Sequence, residues 1–392
     1  MAKRLTKRQK QKVGRFVEKN IVLVTILLII IVGLLFFAYY KGWFDKLFKK
    51  HEEPTLSTAG GYTTEVGTLK DIKVNFLDVG QGDAMIIELP DGKNMIIDSG
   101  DKSNNAKNAI KNFADSKNIQ KFDYLLLTHA DSDHVGNMSW VIDTYEIKYI
   151  FRPNNYSDNS ISSSLPSDFN TKTEGGYKAI SDAYANFMVS AYNERCPVEI
   201  VNKDSDFSNK IVFNGVEYSY TFDFLTPIAD KLQVQYSDSN NYSPLVMLKY
   251  RDKTIMFTGD AEEKMLAEYV ETYGSSNNVD VLKVGHHGSK NATTSEFIES
   301  IDPEYAVIQC GLKNRFEHPH VETLNILSGY DSNLKVYRND TNGLITLNLG
   351  SDLKFDLENP DVTYNFTSGK NMPTTLSLPF EKYLKNRQLL VA

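Results

Sequence analysis

The sequence predicts an α/β sandwich, and three observations carry that reading. A meander of short apolar strands opens the globular part at 72–77, 84–89 and 94–97, joined by tight polar turns. Beyond it, apolar strands alternate with segments of helical periodicity. A single parallel sheet would alternate from its first strand, so a meander followed by alternation favours packed layers. The 392 residues, 41% hydrophobic, suffice for one large core or two smaller ones.

Charge splits the chain in two. Residues 1–50 carry twelve Lys or Arg against Glu18 and Asp45, a net +10; the other 342 carry 31 against 48, a net −17. Within the basic part, residues 21–40 hold no ionisable group except the Tyr39 and Tyr40 phenols. As a helix rising about 1.5 Å per residue they would span about 30 Å, the thickness of a bilayer core. Eight of the twelve basic residues precede this stretch, which keeps segment 1–20 cytoplasmic and sends the rest outside. The stretch is long for a cleaved signal and no small-residue cleavage site follows closely, so an uncleaved transmembrane helix at 21–40 is expected. The expectation is a single-pass cell-membrane protein with an extracellular domain. Residues 41–70 read as a juxtamembrane stalk, with Trp43, Phe44, Leu47 and Phe48 suited to the interface and Thr, Gly and Ser frequent over 54–67. Cys196 and Cys310 are too few for a disulfide framework and read as core residues.

The globular domain is expected over 71–350, with 351–392 as a C-terminal extension. Its first strand ends in the glycine-rich turn Asp78-Val79-Gly80-Gln81-Gly82-Asp83, and its third at Asp98-Ser99-Gly100. Residues 105–117 have helical spacing and lead to the apolar run Tyr124-Leu125-Leu126-Leu127. That strand releases Thr128-His129-Ala130-Asp131-Ser132-Asp133-His134 into a turn. Two histidines and two aspartates within six positions can converge on a metal ion, because imidazole nitrogen and carboxylate oxygen are ligands of Zn, Mn and Fe. A merely solvated turn would favour Gly, Asn, Ser and Lys. Residues 152–170 read as a Ser/Asn/Asp-rich surface loop, and 177–192 as a helix with Ile180, Tyr184, Phe187, Met188 and Ala191 on one side. Strands are expected at 198–201, 211–213, 218–225 and 245–250.

A second apolar strand, 254–257, ends at Thr258-Gly259-Asp260, and a helix over 262–273 follows. The strand 279–284 ends at Gly285-His286-His287-Gly288-Ser289. A helix at 295–301 and a strand at 305–309 lead to the loop holding His318-Pro319-His320. Six of the seven histidines thus lie just past three strand ends; only His51 lies elsewhere. Strand ends on one edge of a sheet converge on a crevice, where loops build a site.

These motifs, in this order, resemble those of the metallo-β-lactamase-fold hydrolases. Within them the chain is most similar to the ComEC-like branch, named for the hydrolase domain of DNA-uptake competence proteins, and it also resembles secreted phosphorylcholine esterases. The resemblance covers roughly 71–350 and implies a four-layer αββα sandwich with two divalent metal ions at one edge. It implies metal ligation by His129, Asp133, His134 and Asp260, with Asp260 bridging, and by Asp131 where many members carry a second histidine. Asp98 matches a supporting carboxylate. No histidine lies between His134 and Asp260, where many members place another ligand; Asn240-Asn241-Tyr242-Ser243 occupies that region. The set is therefore rich in oxygen, so Mn or Fe stand beside Zn as candidates.

Consecutive residues after a strand rarely point the same way, so His287, next to the flexible Gly288, is expected to face the metal and His286 the substrate. His286 and His320 are the expected proton donors. Asp78, Asp83, Asp98, Asn241, Ser289 and His318 are expected to support the ligands or meet substrate. Such a site hydrolyses esters with water activated between two cations, most simply a phosphodiester. A −17 ectodomain is a poor non-specific DNA binder, which favours small or surface-polymer phosphoesters over nucleic acid. Tyrosines within 177–192 or 236–250 would suit a cage for a quaternary ammonium. A ComEC-like nuclease and a non-enzymatic metal-binding surface protein are the alternatives.

Overall fold

The computed structural model describes residues 62–65 (backbone only), 69–172, 175–202, 205–214, 216–227 and 236–361. The expected cytoplasmic segment 1–20, the transmembrane helix 21–40 and most of the stalk lie outside the described residues, as does the extension beyond 361. Among the described residues no helix is long and apolar enough to cross a membrane.

Two eight-stranded sheets form the centre. In space the first runs Val198–Ile200, Ile150–Arg152, Tyr124–Leu126, Asn94–Ile97, Met85–Glu88, Ile72–Phe76, Ile345–Leu349, Leu353–Leu357. The second runs Tyr62–Glu65, Phe207–Phe213, Val216–Phe224, Val246–Tyr250, Lys253–Phe257, Val281–Lys283, Tyr305–Ile308, Lys335–Arg338. Each joins antiparallel strands to a block of four parallel ones; Ile345–Leu349 and Leu353–Leu357 extend the antiparallel part of the first, and Tyr62–Glu65 adds a parallel edge to the second. Alternate residues of both sheets, among them Val74, Ile87, Ile97, Phe222, Leu248 and Phe257, bury against one another between the sheets.

The opposite faces are covered by helices. Asn104–Ser116 sets Ala106, Ile110, Phe113 and Ala114 on the first sheet, and Ser103 caps its start by accepting from the Ala106 N–H at 3.1 Å. On the second sheet, Glu263–Tyr273 and Ser295–Ile301 bury Met265, Leu266, Phe297 and Ile298. The layers are α, β, β, α.

Several expectations shift. The helix expected from 177 starts at Asp182, because Ser181 caps it through the Tyr184 N–H, and runs to Glu194. Tyr177–Ala179 is instead a strand paired with Asn155–Ser157, and Ile180 is 67% exposed. Residues 152–170 are therefore more than a surface loop: Arg152, Asn155 and Ser162 are buried, and Arg152 donates to the carbonyls of Asn155 and Phe169. At the expected domain edges, Tyr62–Glu65 pairs with the second sheet and Leu353–Leu357 completes the first. Tyr184, Tyr236, Tyr242 and Tyr250 are buried, with hydroxyls donating to Asn155 O, Glu268, Gly175 O and Lys70 O, so they form no open cage. Both cysteines are buried and neither forms a disulfide, in keeping with core residues.

Candidate metal centre

The parallel strands of both sheets end on one edge, and the motif residues lie just past those ends. Thr128 follows the strand Tyr124–Leu126, and the short helix Ser132–Val135 brings Asp133 and His134 back over it. The 78–83 turn passes beneath, where Gly82 is indispensable: at its φ of +137 a Cβ would meet Asp133 O at 2.4 Å. Asp98, with φ 56, turns its carboxylate back to accept from Thr128 N (2.9 Å) and Thr128 Oγ1 (2.7 Å). The same Oδ2 lies 2.7 Å from His134 Nδ1. His134 therefore donates from Nδ1 and turns Nε2 inward, the orientation of a metal-bound imidazole.

Asp260 is the hub. It follows Gly259 at the end of Lys253–Phe257, is buried, and its N–H donates to Ser243 Oγ at 3.1 Å. Its Oδ2 lies 3.1 Å from His134 Nε2, 3.4 Å from His287 Nε2, and 3.8 Å from both His129 Nε2 and His286 Nε2. Four imidazoles thus face one carboxylate. His287 Nε2 is also 3.3 Å from Asp133 Oδ2, and His129 Nε2 is 3.9 Å from Asp131 Oδ2. Asp260 Oδ1 and His129 Nε2 are buried without a hydrogen-bond partner. A buried polar atom left unpaired is costly, and a cation between these atoms satisfies both. One group of donor atoms, from Asp83, His134, Asp260 and His287, lies within 4.8 Å of one another.

His286 and His287 do not divide as expected. Both adopt left-handed backbone, φ 46 and 54, which turns both rings toward Asp260. His286 Nδ1 sits 3.0 Å from Glu262 Oε1, and His287 Nδ1 sits 2.9 Å from Gln309 O and 3.1 Å from Asp83 Oδ1. Each is held from behind with Nε2 inward. Period-two alternation fails here because these residues lie past the strand.

The remaining expected residues sort by contact. Asp131 is half-exposed and accepts from Ser239 Oγ at 2.6 Å. Asn241 meets neither ligand nor opening: its Oδ1 accepts from the N–H groups of Glu262 and Met265, capping the helix that carries Glu262. Asp78 accepts from Gly80 N within its own turn, and Ser289 N donates to His286 O. His318 is buried, its ring centroid 5.4 Å from that of His286. Gln81, its Oε1 accepting from Gly311 N, directs Nε2 to His318 Nδ1 at 3.4 Å, which puts the ring proton on Nε2. The expected proton donor His320 lies beyond His318, where its Nδ1 accepts the Lys290 N–H at 3.1 Å; it ties the loop down.

Electrostatics mark the centre strongly. Burial opposes charge on Asp260, but the charges of His134, His287 and His286 hold it well below the usual carboxylate range. Burial likewise pulls His287 down, yet Asp260, Asp83 and the hydrogen bond to Asp133 push it up to about 10. His134 is raised against its burial by Asp260 and Asp98, whereas burial and the His134 charge lower His129. Burial, then the charges of His287 and His286, lower His318 to about 3. Protons thus balance this centre in the absence of a cation.

A family model described as the metallo-beta-lactamase superfamily matches residues 77–156, which span the Asp78–Asp83 turn, Asp98 and the His129–His134 motif. The chain carries a metallo-beta-lactamase superfamily domain. Among curated proteins, ComE operon protein 3 of Bacillus subtilis is 27% identical over 288 residues, covering 70% of this chain and 32% of that protein. Competence protein ComA of Neisseria gonorrhoeae is 23% identical, covering 74% of this chain and 34% of that one. The chain therefore spans about a third of the length of these relatives. Among solved structures, the metallo hydrolase Igni18 of Ignicoccus hospitalis covers 71% of this chain and all of its own at 14% identity, with a TM-score of 0.37. The superfamily's hydrolase fold implies a divalent metal, and the donor atoms of Asp83, His134, Asp260 and His287 are close enough together to hold one.

Four contributors to the domain's centre were not singled out from sequence: Glu262 behind His286, Gln81 behind His318, Ser243 under Asp260, and Lys283. Lys283 had a visible signal, a charge ending an otherwise apolar strand four residues before His287. The others look like ordinary polar loop residues.

Proposed function

We propose that this protein is a metal-dependent phosphodiesterase, anchored in the cell membrane through residues 21–40, with its hydrolase domain outside. The observation that carries the reading is that one buried carboxylate, that of Asp260, is faced by four inward-turned imidazoles. His129, Asp131, His286 and Asp260 would hold one ion, and Asp133, His134, His287 and Asp260 the other. When bound, two divalent cations supply Lewis-acid charge and lower the pKa of a water. The chain's own part is orientation. Asp98, Glu262 and Gln309 O accept from the Nδ1–H groups of His134, His286 and His287, fixing the tautomer that leaves Nε2 free. His318, neutral with its proton on Nε2, is the non-ligand histidine closest to the centre and is placed to give a hydrogen bond, through Nε2–H, to the charge developing on a departing oxygen.

For substrate, the net −17 outside the basic segment favours small or surface-polymer phosphodiesters. DNA is the second reading, favoured by the relatives' being competence proteins. The full chain in detergent, with Zn or Mn, should hydrolyse bis-p-nitrophenyl phosphate and p-nitrophenyl phosphorylcholine. Faster cleavage of single-stranded DNA would install the second reading, and inertness toward all three would sink both.

Two further results are expected. Protease added to intact cells should degrade the chain after Pro54 and spare the basic N-terminal segment; protection of the whole chain would refute the topology. Metal uptake at pH 7 should release about one proton or more per protein, because His287, pushed up to about 10, must lose its proton to bind through Nε2. Affinity should accordingly rise with pH and level off above about 10. Calorimetry in buffers of different ionisation enthalpy reads the release directly.

A further inference from the structure

We propose that Lys283 is a positioning residue of the metal centre: its ammonium holds Asp83 as the outer partner of His287 and keeps that carboxylate from joining the metal ligands. Lys283 ends the strand Val281–Lys283 and is fully buried. A lysine without access to water persists only when paired. Its Nζ lies 2.6 Å from Asp83 Oδ2 and donates to Val284 O at 2.9 Å. Asp83, also fully buried, turns its other oxygen to His287 Nδ1 at 3.1 Å.

Distance alone would admit Asp83 to the ion, because its donor atom lies within 4.8 Å of those of His134, Asp260 and His287. What excludes it is the ion pair: one oxygen lies 2.6 Å from the ammonium, and the other lies 3.1 Å from a His287 nitrogen whose hydrogen bond goes to Gln309 O. The inference rests on the two-metal reading above. Carboxylates of Asp83, Asp98, Asp131, Asp133, Asp260 and Glu262 all lie within contact of the centre's histidines. Two divalent cations bring only four positive charges. Lys283 neutralises one surplus carboxylate where no solvent can do so, and it sets which face of that carboxylate His287 meets.

Removing the cation and removing the anion should therefore have opposite effects on metal and should cancel when combined. Lys283→Met strands the Asp83 charge in the metal-free protein. With metal present, that carboxylate is free to turn to the ion as an added anionic ligand. Asp83→Asn strands the ammonium beside the cations, while the double variant is neutral and leaves the His287 hydrogen bond to Gln309 O in place.

The test uses the full chain in detergent, with the thermal midpoint measured metal-free and Zn affinity measured by chelator competition. For Lys283→Met, the expected midpoint is lower by about 5–10 °C, and Zn binding is about tenfold tighter. Asp83→Asn should bind Zn about 10–100-fold more weakly. The double variant should return to within about threefold of wild-type affinity. Lys283→Met that binds Zn no more tightly than wild type, with wild type loading metal normally, would overturn the Lys283 assignment alone. A double variant that fails to fold would also overturn it, since Lys283 would then serve packing and not charge. Wild-type protein that takes up no divalent metal would overturn the two-metal reading, and this proposal with it.

Discussion

Asp260→Ala is expected to abolish turnover and empty the centre of metal. The Asp260 carboxylate lies within 3.1–3.8 Å of four imidazole nitrogens, and no other side chain among the described residues reaches all four. Without it, two cations would lose their shared anion and the histidines would face one another. Bound metals contribute several kcal/mol of charge stabilisation to hydrolysis, so the rate should fall by at least ~10³-fold. Metal analysis of the dialysed variant should show less than the roughly two ions expected for wild type. Undiminished activity in metal-free Asp260→Ala protein would refute the two-metal mechanism.

His286→Ala and His287→Ala should both lower metal affinity, against the division of labour their adjacency first suggests. Each ring has its Nδ1 held from behind and its Nε2 toward Asp260. Outer partners of metal ligands are typically worth about 10–100-fold in affinity, and a ligand should cost at least as much. Both variants should slow every substrate alike, whatever its leaving group. His318→Ala provides the contrast. It should leave metal content unchanged and cost about 10²-fold in rate, less for p-nitrophenol esters, which depart without help. Normal metal content in His286→Ala, with a leaving-group-dependent rate loss, would restore His286 as the proton donor.

Much of the centre is legible in the chain order. Strands show as apolar runs because each is buried on at least one face, and their ends show because polar, glycine-bearing turns follow. The His129–His134 cluster and Asp260 stand out because ligand-type residues rarely crowd the end of an apolar strand. The helix expected over 177–192 starts later than its spacing suggests, for a local reason. Ile180 fits helical spacing, but the Ser181 hydroxyl accepts the Tyr184 N–H as a cap, so the helix begins at Asp182 and Ile180 faces solvent.

The sequence by itself determined which residue types meet at the strand ends, and hence that two layers of sheet carry a histidine- and carboxylate-rich edge. Those are properties of short segments, set by side-chain chemistry and period. The tertiary structure alone decided who faces whom. That His286 and His287 both turn to Asp260 depends on left-handed backbone past a strand end. That His318, and not His320, borders the centre depends on Gln81, which lies 237 positions away in the chain. The Lys283–Asp83 pair joins a strand end of one sheet to the Asp78–Asp83 turn of the other and forms only once the two sheets pack together. Contacts across such separations follow from how whole layers pack, and no local pattern records them.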